Sequence, residues 1–184
     1  MTSPLIRAAE LAALPDVTVL DATVELAAPR FDGDHAAASG HAGWEREHLP
    51  GSRHADLLHE LSDPDAGHHF AHPSPERLAA ALGGLGVSDG TPVVVYDRAG
   101  GLWAARLWWL LDWIGVPARV LDGGLAAWRA AGLPVASGPA DPGHGTVTPR
   151  PRAGRWVTLR DLSGFLDGTN AATVTCALNP PAYR

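Results

Sequence analysis

The stretch Val93-Val94-Val95-Tyr96-Asp97-Arg98-Ala99-Gly100-Gly101-Leu102 decides the fold class. Its first four residues are continuously apolar, too few for a helix and too uniform for a strand with one wet face. They read as a buried strand of a parallel sheet. Asp97 to Gly101 then turn the chain into a strongly apolar helix, Leu102 to Ile114, which carries Trp103, Trp108, Trp109 and Trp113 and is stopped by Gly115 and Pro117. Arg119 to Leu121 follow as a second strand and Leu125 to Ala131 as a second helix. Strand, helix, strand, helix predicts an α/β domain with a mostly parallel central sheet flanked by helices.

Toward the N-terminus, Pro75 to Leu85 show helical spacing behind Ser74, with Pro75 in the first turn. His41 to Glu47 form a short helix ended by Leu49-Pro50-Gly51-Ser52, and residues 28–40 read as a loop. Val17 to Ala22 read as a buried strand, and residues 4–14 as a helix capped by Thr2 or Ser3. Toward the C-terminus, 137–154 are rich in Gly, Pro, Ser and Asp and read as a linker containing a possible extended piece, Gly145 to Arg150. After it Trp156 to Leu162 begin a helix and Ala172 to Cys176 are strand-like, in the manner of the first 22 residues. An internal repeat is expected, with its second copy cut short.

The chain has 184 residues, 46% hydrophobic and 18% charged, with a formal charge of −6. Its 14 basic residues are all arginine and are dispersed, so no nucleic acid or anionic membrane partner is expected. No apolar run approaches the ~20 residues of a membrane span and no signal peptide is read, which makes the cytoplasm the expected location. The single cysteine, Cys176, excludes an internal disulfide framework and a zinc site built on several thiolates.

Several phrases, taken in order, resemble the rhodanese family of sulfurtransferases, in particular the N-terminal half of the tandem-domain thiosulfate and 3-mercaptopyruvate sulfurtransferases. They are Val19-Leu20-Asp21-Ala22, Gly40-His41 followed by His48-Leu49-Pro50-Gly51-Ser52, Val93 to Asp97, Ala105-Arg106-Leu107-Trp108-Trp109, Val120-Leu121-Asp122-Gly123-Gly124 with Trp128, and Gly132-Leu133-Pro134-Val135. The resemblance implies a rhodanese-like domain over 1–136, a linker over 137–154 and the truncated start of a second copy over 155–184. It also implies sulfane sulfur transfer from thiosulfate or 3-mercaptopyruvate to a thiol or cyanide, small sulfur-donor substrates and no cofactor. With most of the second copy missing, self-association through the exposed interdomain surface is expected.

The family places a cysteine after a buried strand, on a loop entering a helix, where backbone N–H groups stabilise the thiolate and its persulfide. By resemblance Asp97 stands at that nucleophile position in the first domain. A carboxylate cannot carry a persulfide and would instead accept the N–H donors of the loop. The expectation is a non-catalytic first domain and no catalytic residue in this chain. Cys176 is followed by Pro180-Pro181, which supply no N–H donors, and reads as a structural or incidental thiol. Arg98, Gly100, Gly101 and Arg106 form a candidate anion- or substrate-facing loop. The simpler alternative keeps Arg98 in solvent and puts Arg106 in an ion pair with a carboxylate such as Asp21 or Asp122. Those two aspartates, at predicted strand ends, read as turn caps.

His35, His41, His48, His54, His59, His68, His69 and His72 match no zinc spacing and read as solvated loop residues, with no metal site. The tryptophans of the 102–114 helix read as core and interdomain packing. A sulfurtransferase fragment and an inactive rhodanese-like binding or structural module are therefore the two functional readings. A cysteine on a Gly-rich loop at a helix N-terminus would separate them.

Overall fold

In the computed structural model, which describes residues 3–28, 30–31, 36–141, 143–169 and 171–175, the run at 93–96 is the middle strand of a five-stranded sheet. The elements are β1 (Leu5–Ile6), α1 (Ala8–Ala12), β2 (Thr18–Asp21), β3 (Val24–Leu26), β4 (Ala37–Ser39), α2 (His41–Arg46), β5 (Arg53–His54), α3 (Pro75–Gly84), β6 (Val93–Tyr96), α4 (Leu102–Trp113), β7 (Ala118–Leu121), α5 (Gly124–Ala130) and α6 (Leu159–Leu166). The sheet runs β1-β7-β6-β2-β5 and every pairing in it is parallel. This is the α/β architecture, a parallel central sheet with flanking helices, that the sequence predicts.

All four residues of β6 are buried, as both-face coverage requires. Val94 and Tyr96 face a core of Ile6, Leu11, Val19, Leu49, Leu121, Leu125 and Trp128. Val93 and Val95 therefore point to the other face. There α4 packs along β6 and β7, with Ala104, Leu107, Leu110 and Leu111 fully buried. α3 begins as predicted, with the Ser74 hydroxyl accepting the Arg77 N–H at 3.2 Å and Pro75 in the first turn.

The chain leaves β2 for β5 on one side and then crosses back to β6 on the other, so the strand order reverses between β2 and β6. In open α/β sheets the crevice at the carboxyl ends of such strands is where ligands bind. Asp21 ends β2 and Asp97 follows β6. The register sets Asp21 opposite Tyr96.

Three local expectations change. The helix read over 4–14 is the strand β1 followed by the short α1, whose start is capped by Glu10 Oε2 accepting the Arg7 N–H at 2.8 Å. Ser3 does not cap it, its hydroxyl accepting the Leu5 N–H instead, and Thr2 lies outside the described residues. Within the 28–40 loop, β4 pairs antiparallel with β3. Strands this short are defined by their partners and leave almost no periodicity to read.

The chain divides into two compact units, Met1–Pro151 and Arg152–Arg184. Much of the stretch read as a linker is extended chain hydrogen-bonded to the first unit. The Ala136 N–H donates to His48 O at 2.8 Å, Gly138 to Glu45 O at 2.7 Å and Arg150 to Ile114 O at 2.8 Å, and the Asp89 N–H donates to Thr146 O at 2.9 Å. In the second unit α6 starts with a capping box, the Asp161 N–H donating to Thr158 Oγ1 at 3.1 Å and the Thr158 N–H to Asp161 Oδ2 at 2.8 Å. Residues 171–175 carry no strand, because a strand exists only by pairing, and Cys176 lies outside the described residues.

Candidate functional site

Asp97 is 1% exposed, and its carboxylate fills the loop between β6 and α4. Oδ1 accepts the N–H groups of Ala99 at 2.9 Å and Gly101 at 2.8 Å. Oδ2 accepts those of Trp103 at 2.8 Å and Ala104 at 2.9 Å. Trp103 and Ala104 belong to the first turn of α4, where unsatisfied N–H groups and the helix dipole favour a negative charge. Gly101 makes this possible as the residue before the helix, with φ +97° in the left-handed region. Across the loop Gly124 closes the back: a Cβ there would stand 2.3 Å from the Asp97 carbonyl oxygen, which accepts the Leu125 N–H at 3.1 Å.

Arg98 is largely buried, its side chain 25% exposed, so it does not stand in solvent as the simpler reading had it. Its Nη2 donates to the carbonyls of Gly43, at 2.8 Å, and Glu47 at the end of α2. Its Nε lies 3.8 Å from Asp21 Oδ2, and neither of those two atoms has a hydrogen-bond partner among the described residues. Arg98 is thus the arginine that faces Asp21, one of the two carboxylates named for Arg106. Arg106 instead reaches from α4 to the Phe70 carbonyl, and burial lowers its pKa. Gly100 and Gly101 line the open side of the loop, where a side chain would meet no atom within 4 Å. The loop therefore contains Arg98, Gly100 and Gly101 as expected, but the guanidinium of Arg98 turns away from its mouth toward α2.

Asp21, 0% exposed, caps the turn after β2 by accepting the Thr23 N–H at 2.8 Å. Asp122 is exposed. Beside Asp21, the Tyr96 hydroxyl accepts the Leu49 N–H at 3.2 Å and lies 3.0 Å from Ser52 Oγ, to which Trp44 Nε1 donates at 3.3 Å. Burial, together with the charge of Asp21, pushes the Tyr96 phenol well above its usual range. This Tyr96–Ser52–Trp44 network escapes sequence reasoning. The only signal is a tyrosine ending an otherwise aliphatic buried strand, whose hydroxyl must find a partner.

His48 and His54 are buried, against the expectation of solvated loop residues. His48 stacks on Trp44 with ring centroids 4.5 Å apart, and His54 Nε2 lies 3.1 Å from the Thr23 carbonyl. His35 lies outside the described residues. Among the described residues no three His, Cys, Asp or Glu side chains are placed to hold a metal ion, and no helix is long and apolar enough to cross a membrane.

The arrangement can hold one carboxylate's worth of negative charge on backbone N–H groups, and that charge is the protein's own. Comparison with known proteins places the geometry. Residues 8–131 match the model of the rhodanese-like domain. The chain is 35% identical over 188 residues to a Pseudomonas aeruginosa protein named "Probable 3-mercaptopyruvate sulfurtransferase", covering 97% of this chain and 63% of that protein. It is 38% identical over 151 residues to the Mycobacterium tuberculosis "Putative thiosulfate sulfurtransferase SseB", covering 78% of this chain and 50% of that one. The crystal structure of SseA from Escherichia coli, from work on the rhodanese fold and mechanism of 3-mercaptopyruvate sulfotransferases, matches with a TM-score of 0.76 and 26% identity, over 92% of this chain and 64% of that one. The chain spans between half and two thirds of the length of these relatives. With the parallel sheet and the match over 8–131 in agreement, this chain belongs to the rhodanese-like domain family.

Proposed function

We propose that this chain is the amino-terminal, non-catalytic part of a tandem-domain rhodanese sulfurtransferase that works in the cytoplasm. Such an enzyme moves sulfane sulfur from thiosulfate or 3-mercaptopyruvate to a thiol or cyanide. A cysteine thiolate attacks the donor sulfur, the S–S or C–S bond breaks with sulfite or pyruvate leaving, and the acceptor removes the outer sulfur of the resulting persulfide. The observation that carries the reading is the Asp97 carboxylate, which occupies with its own oxygens the four N–H groups that would otherwise face a thiolate. Asp97 then stands at the nucleophile position, with Arg98, Gly100, Gly101 and Arg106 as the structural frame of a loop that performs no chemistry itself.

The domain plan is a first rhodanese-like domain over 1–136, a connection over 137–154 and the opening of a second copy over 155–184. It is supported by the similarity to the Pseudomonas protein, which covers 97% of this chain. Among the described residues α6 leaves Leu159 and Leu166 exposed, and self-association through such interdomain apolar surface is part of the proposal. The decisive experiment is a thiosulfate:cyanide and a 3-mercaptopyruvate:thiol assay on this chain beside a Cys176→Ala variant. Background turnover in both is expected. Turnover in the parent chain that disappears in Cys176→Ala would overturn the reading and make Cys176 the nucleophile.

A further inference from the structure

Among the described residues other than glycine, two have positive φ: Asp16 at +48° and Phe70 at +62°. Aspartate visits this region readily, but a bulky aromatic residue there is strained and stays only where its surroundings hold it. Two contacts from α4 hold Phe70. Arg106 donates to its carbonyl, and its ring lies 5.1 Å from the ring of Trp103.

Phe70 sits near the end of the connection between β5 and α3, whose neck is closed by the Asp63 N–H donating to Ala71 O at 3.0 Å. A loop of this shape is usually filled by its own side chains. Here Leu58, His59, Ser62, Asp63, His68 and Phe70 instead line a half-open cleft of about 540 Å³, and residues 64, 65 and 67–69 are exposed. The tip therefore has little packed interior, and the contacts at Phe70 do much of the work of keeping it down.

We propose that residues 63–71 form a latch on the first turn of α4. Closed, it holds Phe70 in the left-handed conformation. Open, Phe70 relaxes to negative φ, the tip moves as a unit about its neck and the face of Trp103 is uncovered. The latch bears on the Asp97 loop because the N–H groups of Trp103 and Ala104 are the ones that hold Asp97 Oδ2. Opening loosens that hold. The inference rests on the first unit alone and is independent of the sulfur chemistry proposed above.

Native-state amide hydrogen exchange on the full chain tests it, with Phe70→Gly and Arg106→Gln as variants. Glycine accepts φ +62° without strain but carries no ring; glutamine is too short to hold the Phe70 carbonyl as Arg106 does. In the parent chain Asp63 is expected to exchange through an opening well short of global unfolding, while Val94 and Val95 wait for the global event. In Phe70→Gly, exchange at Asp63, Trp103 and Ala104 is expected to rise about tenfold with Val94 and Val95 unchanged. Arg106→Gln should reproduce this pattern, and Phe70→Gly alone decides the matter should that variant not fold. Asp63 exchanging only with global unfolding in the parent chain overturns the latch, as do unmoved Trp103 and Ala104 rates in Phe70→Gly. A rise shared equally by Val94 and Val95 shows general destabilisation and overturns it too.

Discussion

Asp97 and Asp21 are buried carboxylates at the ends of adjacent strands, and they are held in opposite ways. Asp97 receives four backbone N–H groups, two on each oxygen. Among the described residues Asp21 receives one, from Thr23 on Oδ1, and its Oδ2 faces Arg98 at 3.8 Å. A charge held by backbone dipoles is supported by its own loop and the helix that follows, and no distant side chain has to find it. A charge held by a guanidinium depends on the loop that delivers the arginine and on whatever positions that arginine. Arg98 is positioned by the carbonyls at the end of α2, where the Glu47 side chain in turn pairs with Arg129 of α5. The first arrangement is local; the second ties four elements together around the same sheet edge.

The contrast can be broken most directly at Asp97. Asp97→Ala removes the acceptor from all four donors, and water reaches the part-exposed Ala99 and Gly101 groups more readily than the buried N–H groups of Trp103 and Ala104. Two buried orphan donors at ~2 kcal/mol each predict a loss of about 4 kcal/mol, read as a lower urea midpoint with unchanged slope. Asp97→Asn, which can still accept with one oxygen, should lose roughly half of that. A loss below about 1 kcal/mol for the alanine variant would mean that the carboxylate does not organise the loop.

At Asp21 the order of effects should depend on which partner is removed. Arg98→Met strands a buried carboxylate and is expected to cost about 3 kcal/mol, at the low end for such pairs because Arg98 keeps some exposure. Asp21→Asn keeps an acceptor for the Thr23 N–H and should cost about 1 kcal/mol. The double variant should be more stable than the sum of the two losses predicts, since the stranded charge is gone. Strict additivity in that cycle would show that the two groups do not interact, and the comparison with Asp97 would collapse.

The smallest effect is in alkali. Tyr96 lies between the two sites and its phenol is raised above its ordinary value by burial and by Asp21. Above the unfolded-state pKa of about 10 the folded chain therefore binds more protons than the unfolded one, and stability falls as pH rises toward the folded value. Below about pH 10 the contribution is fully present. Asp21→Asn removes the neighbouring charge, so the phenol should ionise in the folded chain at a lower pH and the total alkaline loss should be smaller, whereas Asp97→Asn should leave the Tyr96 titration unchanged. A Tyr96 phenol titration, followed by ultraviolet absorbance, that is the same in the parent chain and Asp21→Asn would deny that Asp21 acts on Tyr96.

Much of the framework was legible from residue order alone. The apolar run at β6, the tryptophan-rich α4, the Ser74–Pro75 start of α3 and the Asp97 loop all declare themselves within a few residues, because strand burial, helix spacing, capping and turn chemistry are local effects. A carboxylate between a buried strand and a pair of glycines at a helix start has its donors close by in sequence, so its acceptor role could be expected. β1 and the β3–β4 hairpin were not legible, since strands of two or three residues are made by their partners.

The arginines lay beyond the sequence for a different reason. Arg98 and Arg106 have long side chains that end on backbone carbonyls of Gly43, Glu47 and Phe70, and a carbonyl has no residue type to announce it. The residue order determined strands β2, β6 and β7, helices α2 to α5 and the Asp97 loop, where each cause lies within about one helical turn of its effect. Which arginine reaches Asp21, where the Tyr96 hydroxyl ends and how Phe70 is held depended on distances across the sheet edge and between loops. Only the tertiary structure could set those.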